Sequence, residues 1–217
     1  MISSNIEEMM ENKVELLGYY GNDQIHACSA WTSTSRDLSE NKIDRIPKLL
    51  KMLADEGHHT PFEKSYLHFL VTTDIASHIH IIKHRVGVSV NGESARYKEI
   101  KEDKYLIPED WPDLWKEHLS HYTKEGLRLY HNCLNDLVDN YGMDRKRAKE
   151  SARFFRGYNT QITADVSFNW RSFYHFQSLR NKPNAQLEIR EIAQQMLILV
   201  KNISDNPFKS TIEAFGL

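Results

Sequence analysis

Fifteen residues, Lys83 through Tyr97, bring together Lys83, Arg85 and Arg96 with His84, Ser94 and two glycines, Gly87 and Gly92. Cations held this close repel one another, and in a folded chain they are stabilised when an anion joins them. A phosphorylated ligand is the chemistry this segment suits. If the chain leaves a helix through Gly87 and Gly92, backbone amides open beside Ser94 and Arg96. Such donors fit a phosphate and a pyrimidine ring with two carbonyl oxygens. The competing reading is a solvated, charged loop.

Other clusters are weaker. His80 and His84 have the i, i+4 spacing that would set two imidazoles on one helix face, with His78 close by. No HExxH glutamate accompanies them and no ligand cluster follows, so a metal is not expected. Arg145-Lys146-Arg147-Ala148-Lys149 reads as the solvated face of a helix start rather than a nucleic-acid patch. Arg153 lies between Ala152 and Phe154-Phe155, a setting in which an arginine usually has an anionic partner. Asn169-Trp170-Arg171-Ser172, His175, Arg180 and Asn184 place polar groups at a strand end, with Arg171 and His175 neighbours at helical spacing. Arg180 could equally cap the preceding carbonyls of its own helix. No nucleophile elbow, P-loop or GxGxxG fingerprint is present, and neither Cys28 nor Cys133 has a suggestive histidine nearby.

The elements that must position these residues follow from periodicity. Val14–Tyr19 reads as a strand, and Asp44–Glu56 as an amphipathic helix with Ile46, Leu49, Leu50 and Leu53 on one stripe. Ser65–Thr72 reads as a half-buried strand, and Asp74 caps a helix through Ile75, Ile79 and Ile82 into the basic segment. Pro108 and Pro112 bracket a loop before a long helix, Trp115–Asn140. Asp144 caps a helix Arg145–Phe155. Ile162, Ala164, Val166 and Phe168 alternate with polar residues in the clearest strand signal of the chain. Helices Arg171–Leu179 and Ala185–Ile203 close it. Helices around a few separated strands, without βαβ alternation, predict an α+β fold. The expectation is a small, mostly antiparallel sheet flanked by several helices, in one domain over residues 1–217.

Bulk composition narrows the function. A net charge of -2 supplies no field for nucleic acid or anionic membranes. Two cysteines without CxxC spacing suit a reducing compartment. No apolar run approaches the roughly 18 residues of a membrane span, and the opening residues are too charged for a secretory signal. A cytoplasmic protein is expected, binding neither nucleic acid nor membrane.

Taken together, these segments resemble the flavin-dependent thymidylate synthases. The family signature Arg-His-Arg, seven residues, Ser, continuing Ser-x-Arg-Tyr, is matched by Lys83-His84-Arg85, eight residues, then Ser94-Ala95-Arg96-Tyr97. Upstream, Gly57-His58-His59-Thr60-Pro61-Phe62-Glu63 looks like the family's His-x-Thr-Pro-Phe-Glu segment. Downstream, Ala152-Arg153, Asn169-x-Arg171-Ser172, Leu179-Arg180, Ala185-Gln186-x-Glu188-Ile189 and Glu213-Ala214-Phe215 keep the family's order.

The resemblance implies reductive methylation of dUMP to dTMP. Methylenetetrahydrofolate would supply the carbon, NADPH the electrons and bound FAD the hydride, with no cysteine nucleophile, in a homotetramer with shared active sites. It implies Arg180 as the catalytic arginine on the uracil and Arg153 as a second dUMP contact. Ser94 and Arg96 would hold the phosphate, and His80 stands where the family has a glutamine contacting dUMP. Lys83 is shared between nucleotide and flavin. Thr60, His84, Arg85, Asn169, Arg171 and His175 fall on flavin positions. Glu93 matches an acidic residue of the same loop, with the register at Gly92 and Glu93 open by one. Two departures stand out: Lys83 lacks the bidentate fork of an arginine, and the loop carries one extra residue. A relative with another outcome at pyrimidine C5, such as hydroxymethylation, and a flavin-free nucleotide- or nucleic-acid-binding module are the alternatives.

Overall fold

The computed structural model describes residues 9–34, 40–94 and 103–217. The chain divides into two compact units. The first comprises Met1–Asn12, Thr72–His80 and Gly92–Ala164, the second Lys13–Val71, Ile81–Asn91 and Asp165–Leu217. Four strands form one sheet in the order β1-β2-β4-β3 and lie wholly or mostly in the second unit: β1 Lys13–Tyr20, β2 Tyr66–Asp74, β3 Val88–Gly92 and β4 Gln161–Asn169. The sheet is antiparallel and the architecture α+β, as the sequence pattern predicts.

In the second unit, α1 (Asp23–Trp31), α2 (Glu40–Ile43), α3 (Ile46–Asp55), α7 (Trp170–Arg180), α8 (Leu187–Lys201) and α9 (Lys209–Ala214) accompany the sheet. Alternation along β4 buries Ala164, Val166 and Phe168, as expected of a strand with one face on a core. The core is aromatic: Phe168 packs on Phe69, Phe173 and Phe176, and Trp170 stacks on Phe208 with centroids 5.0 Å apart. Fully burying each such side chain is worth roughly 1.5–3 kcal/mol. Gln177 spans α7 and α8 by donating to the Ala193 carbonyl at 2.8 Å. Leu50, Leu53 and Ile46 are the buried stripe of α3, with Leu49 half-buried at its margin.

In the first unit, the long helix α5 (Asp113–Asp139) packs Tyr130 and Leu134 against Ala148 and Ala152 of α6 (Arg145–Ala152). Asp144 caps α6 by accepting from the Arg147 amide at 3.1 Å. The helix is shorter than Arg145–Phe155, because Arg153–Phe155 tightens into a 3₁₀ turn. The basic run is a solvated face: Arg145, Lys146 and Arg147 are exposed and only Ala148 is buried.

Helix α4 (Ile75–Ile82) begins on Asp74, whose carboxylate accepts from the Ser77 amide at 2.9 Å. It stops at Ile82, before the basic segment, which corrects two expectations. His80 and His84 do not share a helix face, since His84 lies in the turn beyond α4. Nor is the stretch after Gly87 a donor-exposing loop, since Val88–Gly92 forms strand β3 at the sheet edge. Its alternation, Val88-Ser89-Val90-Asn91, is a strand signal too short to stand out between two glycines.

Candidate active site

The turn between α4 and β3 is held against the start of α7. Asn169 is the N-cap of α7: its side-chain oxygen accepts from the Ser172 amide at 2.9 Å. Its own amide donates to the Gly87 carbonyl at 3.0 Å. The Ser172 hydroxyl donates to the Val86 carbonyl at 2.6 Å. Gly87 takes φ +64°, and a Cβ there would lie 2.3 Å from Asn169 Nδ2 and 2.4 Å from Ser172 Oγ. Only glycine meets both demands.

That clamp leaves Lys83, Arg85 and Val86 exposed while His84 is buried. The His84 ring meets Phe176 edge-on at 5.1 Å and His175 at 5.7 Å. Arg180, at the end of α7, donates through Nε to His84 Nε2 at 3.2 Å. It therefore turns onto the 83–87 segment rather than back onto its own helix carbonyls. Arg171 and His175 are both exposed on α7, one turn apart. Arg171 is taken up by Glu63, whose carboxylate it meets at 2.5 Å. Glu63 belongs to the 3₁₀ turn Thr60–Lys64, which is anchored by buried Phe62 and places Thr60 at its exposed start.

The second unit thus gathers Lys83, His84, Arg85, Asn169, Arg171, His175 and Arg180 around one turn and one helix, with Thr60 on the turn that supplies Glu63. Glu63, Val86, Gly87 and Ser172 complete this framework and were not singled out as site residues from sequence. Glu63 and Ser172 stood in the matched motifs, but their partners lie 108 and 86 positions away, beyond any local pattern.

The remaining candidates belong to the first unit. His80 is half-buried on α4, and beside it burial lowers the pKa of the His78 imidazole. A Cβ on Gly92 would lie 3.5 Å from the His78 ring, an ordinary contact. Glu93 folds back on β4: its amide donates to the Thr163 carbonyl at 2.8 Å, and its carboxylate accepts from the Thr163 amide at 3.1 Å. Ser94 is half-buried. Arg153 is exposed on the 3₁₀ turn, as are Phe154 and Phe155. Arg96 lies outside the described residues.

Chemically, the second-unit cluster is a set of cationic and imidazole donors whose one described carboxylate is already paired with Arg171. An anion carrying a flat, hydrogen-bonding ring suits it.

Comparison with known proteins gives the cluster its context. The family described as thymidylate synthase complementing protein matches residues 15–204. A flavin-dependent thymidylate synthase of Pseudothermotoga lettingae is 30% identical, over 95% of this chain and 93% of its own. One from Clostridium tetani is 29% identical, over 91% and 85%. A solved structure of the UMP/dUMP methylase PolB from Streptomyces cacaoi, bound with 5-Br dUMP, superposes with a TM-score of 0.78 at 24% identity, covering 96% of this chain and 97% of that one. At that identity the likeness concerns the fold. The match over residues 15–204 and the near full-length relatives agree with the motifs, and the chain belongs to the thymidylate synthase complementing protein family.

Proposed function

We propose that the chain is a flavin-dependent thymidylate synthase that methylates dUMP reductively to dTMP, with methylenetetrahydrofolate as carbon donor, NADPH as reductant and FAD as resident cofactor. The observation that carries this reading is the Arg180–His84 pair set in a cationic cluster, in a chain that belongs to the family. The fold domain spans 1–217, and the working assembly is a homotetramer in the cytoplasm. Among the described residues no helix is long and apolar enough to cross a membrane.

The donor set fits FAD. A diphosphate needs cations and hydroxyl or amide donors, and Thr60, Lys83, Arg85, Arg171, His84 and His175 supply them, with Asn169 and Glu93 as further contacts. Bound there, FAD supplies reversible two-electron hydride chemistry. The nucleotide falls to Arg180, Arg153, His80, Lys83, Glu93, Ser94 and Arg96. Ser94 and Arg96 hold the phosphate, and the arginines orient the base. Arg180 is the catalytic residue: its fixed positive charge favours negative charge developing on the uracil ring as C5 becomes nucleophilic. No cysteine takes part in this reading. Cys133 packs beside the Tyr130–Leu134–Ala148–Ala152 cluster, a structural place, and Cys28 sits half-buried on α1.

The test is direct. The purified protein should be yellow, and incubation with dUMP, methylenetetrahydrofolate and NADPH should give dTMP by mass. If 5-hydroxymethyl-dUMP is the sole product, the enzyme is a C5 hydroxymethylase instead. A colourless protein that takes up no FAD but binds nucleotide would be a flavin-free binding module.

A further inference from the structure

Arg180 makes one hydrogen bond to a described residue, and its partner is chemically unusual for a guanidinium. Arginine stays protonated in proteins, so the Nε–H must be the donor and the His84 Nε2 lone pair the acceptor. His84 is therefore the Nδ1-protonated, neutral imidazole in this arrangement. A carboxylate at the same place would hold the guanidinium more strongly, but it would cancel the charge the ligand needs. A neutral nitrogen acceptor orients the arginine and leaves its charge unspent. Contact through Nε also leaves the Nη1/Nη2 edge, the bidentate edge, free to meet a planar ligand.

The acceptor itself is immobilised. The His84 amide bonds to the Ile81 carbonyl at 3.0 Å, Ser172 and Asn169 clamp Val86 and Gly87, and the ring is walled by Phe176 and His175. An arginine side chain loses much rotamer freedom when it is held in one geometry. Fixing its Nε before the ligand arrives removes part of that cost from binding and from the chemical step.

From this geometry we infer that His84 is a positioning residue for Arg180, holding the guanidinium in its reactive orientation by neutral acceptance at Nε2. The inference rests on the function proposed above and assigns His84 a task besides contact with a flavin.

Three measurements on the purified holoenzyme test it. The ¹⁵Nε–¹Hε NMR signal of Arg180, identified by its loss in Arg180→Lys, should shift or broaden in His84→Ala and be largely restored in His84→Gln, which supplies a neutral oxygen acceptor. With saturating FAD, His84→Ala should lower kcat about 10²-fold, the scale expected of a misplaced catalytic group, and His84→Gln should recover most of it. In an Arg180→Ala background, His84→Ala should cost no further dUMP affinity. The inference is overturned if Gln is as poor as Ala, if the Arg180 signal ignores both substitutions, or if the two losses add independently. It is also overturned if excess FAD alone restores kcat in His84→Ala, since His84 is then only a flavin contact. Absence of dTMP formation by the wild type would instead refute the proposed function, while the NMR comparison still decides the hydrogen bond.

Discussion

Asn169 and Gly87 are joined at 3.0 Å, backbone amide to carbonyl, at the point where β4 becomes α7. The same asparagine caps α7, so one residue sets both the helix start and the turn that carries Lys83, His84 and Arg85. Gly87→Ala must place a methyl group into Asn169 and Ser172 at a positive φ. The conformational cost alone is about 1–2 kcal/mol, before any repacking. Urea unfolding should show a loss of at least that size; an unchanged midpoint would mean that the clamp is loose.

Arg180→Ala should lower kcat about 10²–10³-fold, the scale of removing one preorganised charge-stabilising donor, while FAD stays bound. Steady-state kinetics and the flavin absorbance of the purified variant check both halves. Near-normal turnover would remove Arg180 from the chemistry.

His26 makes the chain sensitive to acid. It is fully buried, 2.8 Å from Ser65 Oγ and 3.0 Å from Thr211 Oγ1. Thr211 gives its own proton to Asp23 at 2.6 Å, so it must accept from His26 Nδ1–H, and Ser65 donates to Nε2. Asp23 also accepts from the Ser210 and Thr211 amides at the start of α9. Burial pushes the imidazole from 6.5 down to about 3. Between those values the unfolded chain binds a proton that the folded chain refuses. Stability is therefore complete above pH 6.5 and falls as pH drops toward 3, by up to about 1.4 kcal/mol per unit. Denaturation midpoints measured from pH 7 to pH 4.5 should fall in the wild type, and His26→Gln should flatten that part of the slope.

Cys28→Ser and Cys133→Ser should each retain dTMP formation. Cys133→Ser should lose some thermal stability, because Cys133 packs on a buried cluster. Abolished turnover in a folded, FAD-loaded variant of either kind would contradict a nucleophile-free reaction.

Much of this protein is written locally. Asp74 and Asp144 announce α4 and α6 because a carboxylate can satisfy only the amides just after it. Alternation through Ile162, Ala164, Val166 and Phe168 announces β4 because a strand has period two. The order of the motifs from Thr60 to Arg180 was enough to point to the family. Other features had no local signal. Strand β3 is five residues that follow one glycine and end on another, and it is a strand because β4 pairs with it. His84 looked like the second histidine of a helix face, but α4 ends two residues earlier and turns it inward. Arg153 stands among residues that read as an apolar setting, yet Phe154 and Phe155 beside it are exposed. Glu63 with Arg171 and His84 with Arg180 stand 108 and 96 residues apart. Sequence alone determined which chemical groups the chain carries and the short-range periodicities that shape its elements. Only the tertiary structure decided which groups meet, because burial and pairing between distant segments depend on the packing of the whole chain.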